Sequence, residues 1–248
     1  MKKAALITGA SSGIGAATAI EFANNGYFVY LMGRNKERLE QVAMRCRSGA
    51  SLLSGELTDP KIMEKRLNEV LTSKAHRVEV LVNNAGIFDR HTTEEGTDEL
   101  WMKQFEVNMM IPVRLVRAFF PYFKAQGGGS IVNVSSTLAL KPVLGTSAYC
   151  AVKAAMNSWT QSLAIEGGPS KIRANAVCPG IVDTPIHEFH SLPADQKSKT
   201  LEAMASLQPL GRIGTPEDVA RAIYFYGSDL SSWTTGTLAT VDGGIHLA

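Results

Sequence analysis

The chain has 248 residues, of which 45% are hydrophobic and 19% are charged, and this length and composition are enough for one α/β domain with a well-buried core. The formal net charge is +2 and the lysines and arginines are scattered, so the sequence has no basic tract of the kind that nucleic-acid-binding proteins use. No apolar run reaches the roughly 18 residues that a membrane span needs, and we expect no membrane partner.

Cysteine and histidine usage indicates the compartment and the metal content. Cys46, Cys150 and Cys178 are odd in number and far apart, which is typical of buried thiols in a reducing compartment and predicts a cytoplasmic protein. The first apolar strand follows Lys2 and Lys3 directly, so we expect no signal peptide. The five histidines show no metal-ligand spacing with carboxylate support, and we predict that no metal is bound.

Apolar runs typical of strands alternate with helical segments along the whole chain. The predicted strands lie near residues 3–8, 27–32, 50–54, 78–83, 130–135, 172–178 and 237–241. Turn and cap signals separate them, such as Asn25-Gly26 after the first helix and Asp59-Pro60 before a later one. This order predicts an α/β fold, a single doubly wound Rossmann-type domain over residues 1–248, with a seven-stranded parallel sheet and helices on both faces.

A glycine-rich turn follows the first strand. The sequence from Thr8 to Gly15 leads into an alanine-rich helix, and glycines there let the backbone approach a pyrophosphate, whose charge meets free N–H groups and the positive end of the helix. The candidate dinucleotide-binding residues in this turn are Gly9, Ser11, Ser12, Gly13, Ile14 and Gly15. The spacing Gly-x-x-x-Gly-x-Gly differs from the common Gly-x-Gly-x-x-Gly, so a turn that only tightens the strand-to-helix connection remains an alternative.

The end of the second strand bears on the choice of dinucleotide. A carboxylate at this position would accept hydrogen bonds from the adenosine ribose and repel a 2′-phosphate. Gly33 offers no carboxylate, and Arg34 offers a planar cation, so the sequence favours NADP(H) over NAD(H). An ordinary exposed arginine is the alternative interpretation of Arg34.

A tyrosine and a lysine four residues apart provide candidate proton-transfer chemistry. Tyr149 and Lys153 lie in a segment with helical spacing, so both side chains leave the same helix face. Because a nearby ammonium favours a phenolate, we expect Lys153 to lower the pKa of Tyr149 from its ordinary value near 10. A half-buried phenol beside a solvated amine is the alternative.

Ser136 closes the apolar run from Ser130 to Val134 and is expected at the carboxyl edge of the sheet, where ligands bind in open α/β folds. Its hydroxyl and that of Tyr149 could then reach one substrate oxygen. A serine that only caps the following segment is equally consistent with this position.

Six ordered motifs span almost the whole chain. They are Thr8-Gly-x-x-x-Gly-x-Gly15, Asn83-Asn84-Ala85-Gly86, Asn108, Ser136, Tyr149-x-x-x-Lys153 and Pro179-Gly180, followed by closing segments around Gly211-Arg212 and Asp242-Gly243-Gly244. In order and approximate spacing this set resembles the short-chain dehydrogenase/reductase family. The resemblance implies NAD(P)-dependent hydride transfer between a carbonyl and a secondary alcohol, with Asn108, Ser136, Tyr149 and Lys153 as the catalytic residues.

The resemblance also implies further contacts with the cofactor. Beside Tyr149 and Lys153, the implied cofactor-binding residues are Glu56, Leu57, Asn83, Ala85, Gly86, Pro179, Gly180, Val182 and Thr184. The chain departs from the family pattern in two places, since Glu56 stands where an aspartate usually contacts adenine, and Ser12 stands where many NADP enzymes have a second basic residue. For Asn108, the resemblance implies a bound water next to Lys153, and a polar residue that kinks the helix is the alternative.

Substrate choice is expected to depend on a lid over residues 185–209 and on an opposite wall at 87–98, neither of which has a clear signature. The family includes reductases of 3-oxoacyl thioesters, sugars, steroids and small ketones, and length and tail favour a 3-oxoacyl thioester. The partner is thus a small carbonyl or alcohol, and the resemblance implies a homodimer or homotetramer. An alternative is a catalytically silent NAD(P)-binding sensor or structural subunit, because a fold does not prove activity.

Overall fold

A computed structural model of the protein describes residues 1–187 and 192–248. Its strands are β1 Lys2–Thr8, β2 Phe28–Gly33, β3 Ala50–Ser54, β4 His76–Asn83, β5 Gly129–Val134, β6 Ile172–Pro179 and β7 Leu238–Val241. Each boundary lies within two residues of its predicted position. The apolar runs and the glycine and proline signals between them were therefore sufficient to locate the strands.

Helices occupy the segments between the strands. They are α1 Gly13–Asn24, α2 Lys36–Ala43, α3 Pro60–Leu71, α4 Asp98–Phe105, α5 Ile111–Ala125, α6 Ser147–Gly167, α7 Ala194–Ser206 and α8 Pro216–Gly227. Local chemistry sets several helix starts. The Asp59 carboxylate accepts hydrogen bonds from the Lys61 and Ile62 N–H groups, and Thr215 and Asp218 form a capping box, in each case with proline at the first helical position.

The seven strands form one parallel sheet in the order β3-β2-β1-β4-β5-β6-β7. The chain runs outward from β1 to β3, returns across the sheet to β4, and then continues in the other direction. This reversal makes the doubly wound arrangement that the sequence predicted, with a crevice between the carboxyl ends of β1 and β4.

Alternation along each strand divides the core into two layers. On β1, the fully buried Leu6 belongs to the layer that contains Phe119 of α5. Its neighbour Ile7 points to the opposite face, in the layer that contains Phe22 of α1 and Ile223 of α8. Because both faces are covered, the strands are buried on both sides, and only their ends are available for ligands.

A wide π turn, Glu106–Met110, interrupts the helical segment between α4 and α5. The apolar spacing of Trp101, Phe105, Val107 and Met109 in the sequence predicts a stripe packed in the core, and this prediction is only partly correct. Met109 is buried, whereas Trp101 and Phe105 are each 38% exposed. The π turn changes the helical phase, so residues on either side of it do not share one buried face.

The expected lid, residues 185–209, contains α7, and residues 188–191 within it lie outside the described part of the chain. Within the described residues, no helix is long and apolar enough to cross a membrane. The end of the lid packs against the C-terminal tail. A side chain added at Gly243 would lie 3.1 Å from Gln208, and one at Gly244 would lie 2.9 Å from Pro209.

Candidate active site

The carboxyl edge of the sheet brings the predicted site residues together. The glycine turn follows β1, Arg34 follows β2, and Glu56 and Leu57 follow β3. The segments that contain Asn83 to Gly86, Ser136, and Pro179 to Thr184 lie at the ends of β4, β5 and β6, while Tyr149 and Lys153 lie on α6. Residues far apart in the chain therefore surround the crevice where the strand order reverses.

Thr8 fastens the glycine turn to the loop after β4. Its hydroxyl oxygen accepts hydrogen bonds from the N–H groups of Asn84 and Ala85, at 2.9 Å each, and donates to the Val82 carbonyl. The Asn84 amide donates in return to the Thr8 carbonyl at 2.9 Å. Neither side chain was assigned this role from the sequence, although a threonine that closes a buried strand just before a glycine turn was the available signal.

Two of the glycines are required by packing. A side chain at Gly9 would lie 2.8 Å from the Asn84 amide nitrogen, and one at Gly15 would lie 2.3 Å from the Gly9 carbonyl oxygen and 2.5 Å from the same amide. The Gly9 carbonyl in front of Gly15, and the Ala85 Cα 2.9 Å from a side chain at Gly9, are backbone atoms that cannot move aside without distorting the turn. The alternative that these glycines tighten the strand-to-helix connection is thus part of their role.

We expect Gly15→Ala to destabilise the protein by about 1–3 kcal/mol or more, because the added methyl group overlaps the Gly9 backbone. Urea unfolding measures the change. Gly168→Ala is the matched control, since Gly168 has helical dihedral angles and, apart from its adjacent residues and its own helix backbone, no described atom lies within 4 Å of an added side chain. Equal stability of the two variants would contradict the packing argument.

Gly13 and the start of α1 fit an anionic ligand. Gly13 has φ +52°, and a side chain there would lie 3.1 Å from Thr184, so the turn and the segment after β6 approach each other. Ser12 precedes α1 in an extended conformation, and within the described residues its side chain makes no capping hydrogen bond. The first N–H groups of α1 are thus left for a ligand oxygen, as a pyrophosphate requires.

Arg34 and Glu56 lie next to each other. The Arg34 guanidinium is 3.8 Å from the Glu56 carboxylate, and both side chains are largely exposed. An exposed pair at this distance contributes little to stability, but it places an acid beside the cation that was predicted to meet a 2′-phosphate. Leu57 is 5% exposed and belongs to the core, so only its backbone is available to a cofactor.

Asn83, one of the implied cofactor-binding residues, has a buried side chain. Its side-chain nitrogen donates to the side-chain oxygen of Asn133 at 2.8 Å, and the side-chain nitrogen of Asn133 donates to the Thr160 hydroxyl, which places the Asn83 side chain inside the protein. Any contact with a cofactor would have to use its backbone. Ala85 and Gly86 follow at the surface of the crevice, where a side chain at Gly86 would lie 2.7 Å from the Asn108 carbonyl oxygen.

Tyr149, Lys153 and Ser136 converge in the crevice. The Lys153 ammonium lies 5.6 Å from the centre of the Tyr149 ring and donates to the Val134 carbonyl at 2.8 Å. All three side chains are buried, and Ser136 lies close enough to Tyr149 to influence the pKa of the phenol. The Ser136 oxygen also accepts from the Leu138 N–H at 3.1 Å, so the capping role left open by the sequence is present as well.

Burial has the largest effect on the pKa values of Tyr149 and Lys153. It raises the pKa of Tyr149 above its ordinary value, and the nearby Ser136 hydroxyl acts in the opposite direction but has a smaller effect. Burial also lowers the pKa of Lys153 to about 8. The pKa of Tyr149 is therefore raised and not lowered as expected, because desolvation of the phenolate has the largest effect and Lys153 is not among the groups that shift it.

Asn108 sits in the π turn and is fully buried. Its carbonyl oxygen accepts from the Ile87 N–H at 3.1 Å, and its amide donates to the Ile87 carbonyl at 3.1 Å. These bonds fix the loop after β4, and the helix is widened at the same place, as the kink alternative suggested. Within the described residues the Asn108 side-chain oxygen accepts one hydrogen bond, which leaves it a second lone pair, and both the oxygen and the Lys153 ammonium lie near Gly86.

The segment after β6 lies across the glycine turn. Val182 pairs with Gly214 through the backbone, and the Thr184 hydroxyl donates to the Val182 carbonyl at 3.3 Å. A side chain at Gly180 would lie 2.7 Å from Asp242, so this glycine permits close packing against the loop after β7. Pro179 ends the strand and starts this segment.

Phe88 forms one wall of the site. Its ring meets the Tyr149 ring edge-on with centroids 4.8 Å apart, and the His187 ring from the start of the lid lies 6.4 Å from Phe88. This agrees with the expectation that residues 87–98 and the lid face each other. No cluster that could hold a metal ion occurs in the part of the chain that the structure describes.

Comparisons with known proteins identify the family. A family model described as Enoyl-(Acyl carrier protein) reductase matches residues 9–246. The 3-oxoacyl-[acyl-carrier-protein] reductase of Thermotoga maritima is 37% identical over 98% of this chain and 97% of its own. The chain belongs to the short-chain dehydrogenase/reductase family. It is an enzyme of the NAD(P)-dependent type that acts on carbonyl and CH–OH groups.

Other relatives differ widely in substrate. The 7alpha-hydroxysteroid dehydrogenase of Clostridium sardiniense is 32% identical over 99% of this chain and 94% of its own. The solved structure of L-sorbose reductase from Gluconobacter frateurii, in complex with NADPH and L-sorbose, has a TM-score of 0.91 and 31% identity over 98% of this chain and 96% of its own. Steroid and sugar enzymes thus share this fold at similar identity, so family membership by itself does not select the substrate.

Proposed function

We propose that the protein catalyses reversible hydride transfer between NADP(H) and a carbonyl or secondary alcohol, with Ser136, Tyr149 and Lys153 as the reacting machinery. The observation that carries the proposal is the convergence of these three buried side chains beside Gly86, at the crevice where the strand order reverses. When bound there, the nicotinamide supplies or accepts the hydride.

Each residue would act on the substrate oxygen or on a proton. The Ser136 hydroxyl would donate a hydrogen bond to the carbonyl oxygen and hold it toward Tyr149. Because burial raises the pKa of Tyr149, its phenol is protonated at neutral pH and is ready to give a proton to the oxygen during reduction. With a pKa of about 8, Lys153 is mostly protonated at pH 7 and would stabilise the phenolate that forms.

The residues around this centre suit proton resupply and binding of the cofactor. The Asn108 side-chain oxygen, with its second lone pair, and the ammonium of Lys153 both lie near Gly86, which supports a bound water between them. The uncapped start of α1 would receive the pyrophosphate. Ala85 and Gly86 would border the adenosine ribose, and the segment from Pro179 to Thr184 would hold the nicotinamide carboxamide.

The preference for NADP(H) is proposed to depend on Arg34. We expect Arg34→Ala to raise the dissociation constant for NADPH roughly tenfold, because a charge-assisted contact with the 2′-phosphate is lost, and to leave that for NADH nearly unchanged. Quenching of tryptophan fluorescence measures both constants on the same protein. Glu56→Gln serves as the companion variant, since it removes the acid 3.8 Å away and should strengthen NADPH binding. Equal weakening of both cofactors by Arg34→Ala would refute the proposal.

The substrate is proposed to be a small carbonyl compound, with 3-oxoacyl thioesters as the first candidates, because the Thermotoga maritima relative bears that name. The test follows NADPH oxidation with a panel of 3-oxoacyl thioesters, ketosteroids, ketoses and simple ketones, with Tyr149→Phe as the inactive control. The proposal is supported if the wild-type protein turns over at least one of these substrate classes and Tyr149→Phe does not. Micromolar NADPH binding with no turnover across the panel would favour the alternative of a sensor or structural subunit.

Assembly as a homodimer or homotetramer and a cytoplasmic location remain predictions. The exposed Trp101 and Phe105 on α4 support an assembly through this region, because large apolar side chains at a surface are common at subunit interfaces. Sedimentation velocity would measure the state.

A further inference from the structure

A groove of about 260 Å³ opens beside the glycine turn, between α1 and α2. Ser11, Ser12 and Gly13 line it on the side of the turn, and Arg38 and Arg45 line it on the side of α2. The groove therefore connects the proposed phosphate-binding turn with two cations that the sequence analysis did not single out.

Local structure fixes Arg38 near the mouth of this groove. Asn35 caps α2 by accepting a hydrogen bond from the Arg38 N–H at 2.8 Å, which places Arg38 in the first turn of the helix. The neighbouring Leu39 is fully buried. A Cβ atom added at Gly33 would lie 3.5 Å from the Leu39 side chain and 3.7 Å from the Ser11 hydroxyl oxygen. The end of β2, the glycine turn and the start of α2 thus meet in one place.

The charges of the groove are unbalanced. Within the described residues, neither Arg38 nor Arg45 forms an ion pair, and Glu217 is the one acid among the residues that line the groove. Arg34, by contrast, has Glu56 beside it at 3.8 Å. The cation predicted to meet the 2′-phosphate is thus partly neutralised, and Ser12 occupies the position where related NADP enzymes have a second basic residue.

We infer that Arg38 supplies this second cation, by binding the 2′-phosphate of NADP(H) from α2 across the groove that it shares with Ser11 and Ser12. The inference rests on the proposed function, because it presupposes an NADP(H) cofactor over the glycine turn. Arg45 is a poor candidate for the same contact. It lies in the turn after Ala43, the last residue of α2, so the length of the helix from Arg38 to Ala43, roughly 7 Å at 1.5 Å per residue, separates it from the start of α2.

The test compares Arg38→Gln with Arg45→Gln, which removes the same charge from the same groove further from the turn. Isothermal titration of the full chain with NADPH, NADH, adenosine 2′,5′-bisphosphate and 5′-AMP isolates the contribution of the 2′-phosphate. For Arg38→Gln we expect a roughly fivefold to tenfold weaker affinity for the two 2′-phosphorylated ligands and less than about a twofold change for the others. Arg45→Gln should change all four by less than about twofold, and Arg38→Lys should keep part of the preference.

Two results would overturn the inference. If Arg38→Gln weakens the binding of NADPH and of NADH equally, the Arg38 side chain supports the glycine turn and does not contact the 2′-phosphate. If Arg45→Gln matches Arg38→Gln, only the general positive potential of the groove matters. Failure of the proposed NADP(H) preference would give a different result from failure of the Arg38 inference. In that case the wild-type protein would bind NADPH no better than NADH, and Arg34→Ala would have no effect on either affinity. A wild-type preference that Arg34→Ala removes and Arg38→Gln leaves intact would reject Arg38 alone.

Discussion

Tyr149→Phe is expected to lower kcat for ketone reduction by roughly 10²–10⁴-fold, the usual contribution of a positioned general acid. The substitution removes only the hydroxyl, and the ring keeps its edge-on contact with Phe88, so the fold should be preserved. Steady-state rates with NADPH and the best substrate of the panel measure the effect, and fluorescence titration should show a dissociation constant for NADPH within about twofold of wild type.

The neighbouring hydroxyl provides the comparison for this variant. Ser136→Ala should also lower kcat, but by less, because it removes a hydrogen bond to the substrate oxygen and leaves the proton donor in place. Wild-type rates for Tyr149→Phe would eliminate Tyr149 as the acid. A similar loss of NADPH binding and of kcat would instead mean that the phenol mainly holds the cofactor.

Lys153→Met is expected to lower kcat at least about 100-fold and, at the same time, to change how stability depends on pH. The folded-state pKa of Lys153 is about 8, whereas an unfolded lysine has a pKa near 10.4, so folding disfavours the protonated amine. This penalty is about 3 kcal/mol at pH 7. It is complete below pH 8 and disappears as the pH rises toward 10.4, so the wild-type protein gains stability across that window.

We compare the free energy of unfolding of wild type with that of Lys153→Met at pH 7 and at pH 10. Relative to the variant, wild type should be about 2 kcal/mol more stable at pH 10 than it is at pH 7. The absolute difference is less informative, since the variant also leaves the Val134 carbonyl without its donor, at a cost of about 1–3 kcal/mol. Urea unfolding at both pH values provides the measurement. Lys65→Met, at an exposed position on α3, controls for the loss of a lysine and should show no such shift. A pH-independent difference for Lys153→Met would mean that the ammonium is not disfavoured by folding.

Contacts between residues on different strands and helices explain why the sequence did not predict the orientation of Asn83 or the acidic neighbour of Arg34. Asn83 is part of a motif that the resemblance assigns to the cofactor, yet its amide turns inward because Asn133 on the adjacent strand offers a buried partner. Arg34 was predicted from the end of β2, but its acidic neighbour comes from the end of β3, 22 residues later in the chain. Arg38 had no signal in the sequence, since an exposed arginine at the start of a helix is common.

The sequence by itself determined the positions of the strands, the parallel doubly wound order, and the pairing of Tyr149 with Lys153 on one helix face. These features depend on apolar periodicity, on glycine and proline signals and on the four-residue helical spacing, all of which are local. Only the tertiary structure decided that Gly15 is required by the Asn84 side chain and the Gly9 backbone that it faces, and that burial raises the Tyr149 pKa. Both depend on the solvent and the neighbours that each group loses or gains when distant segments meet, and no local pattern records that.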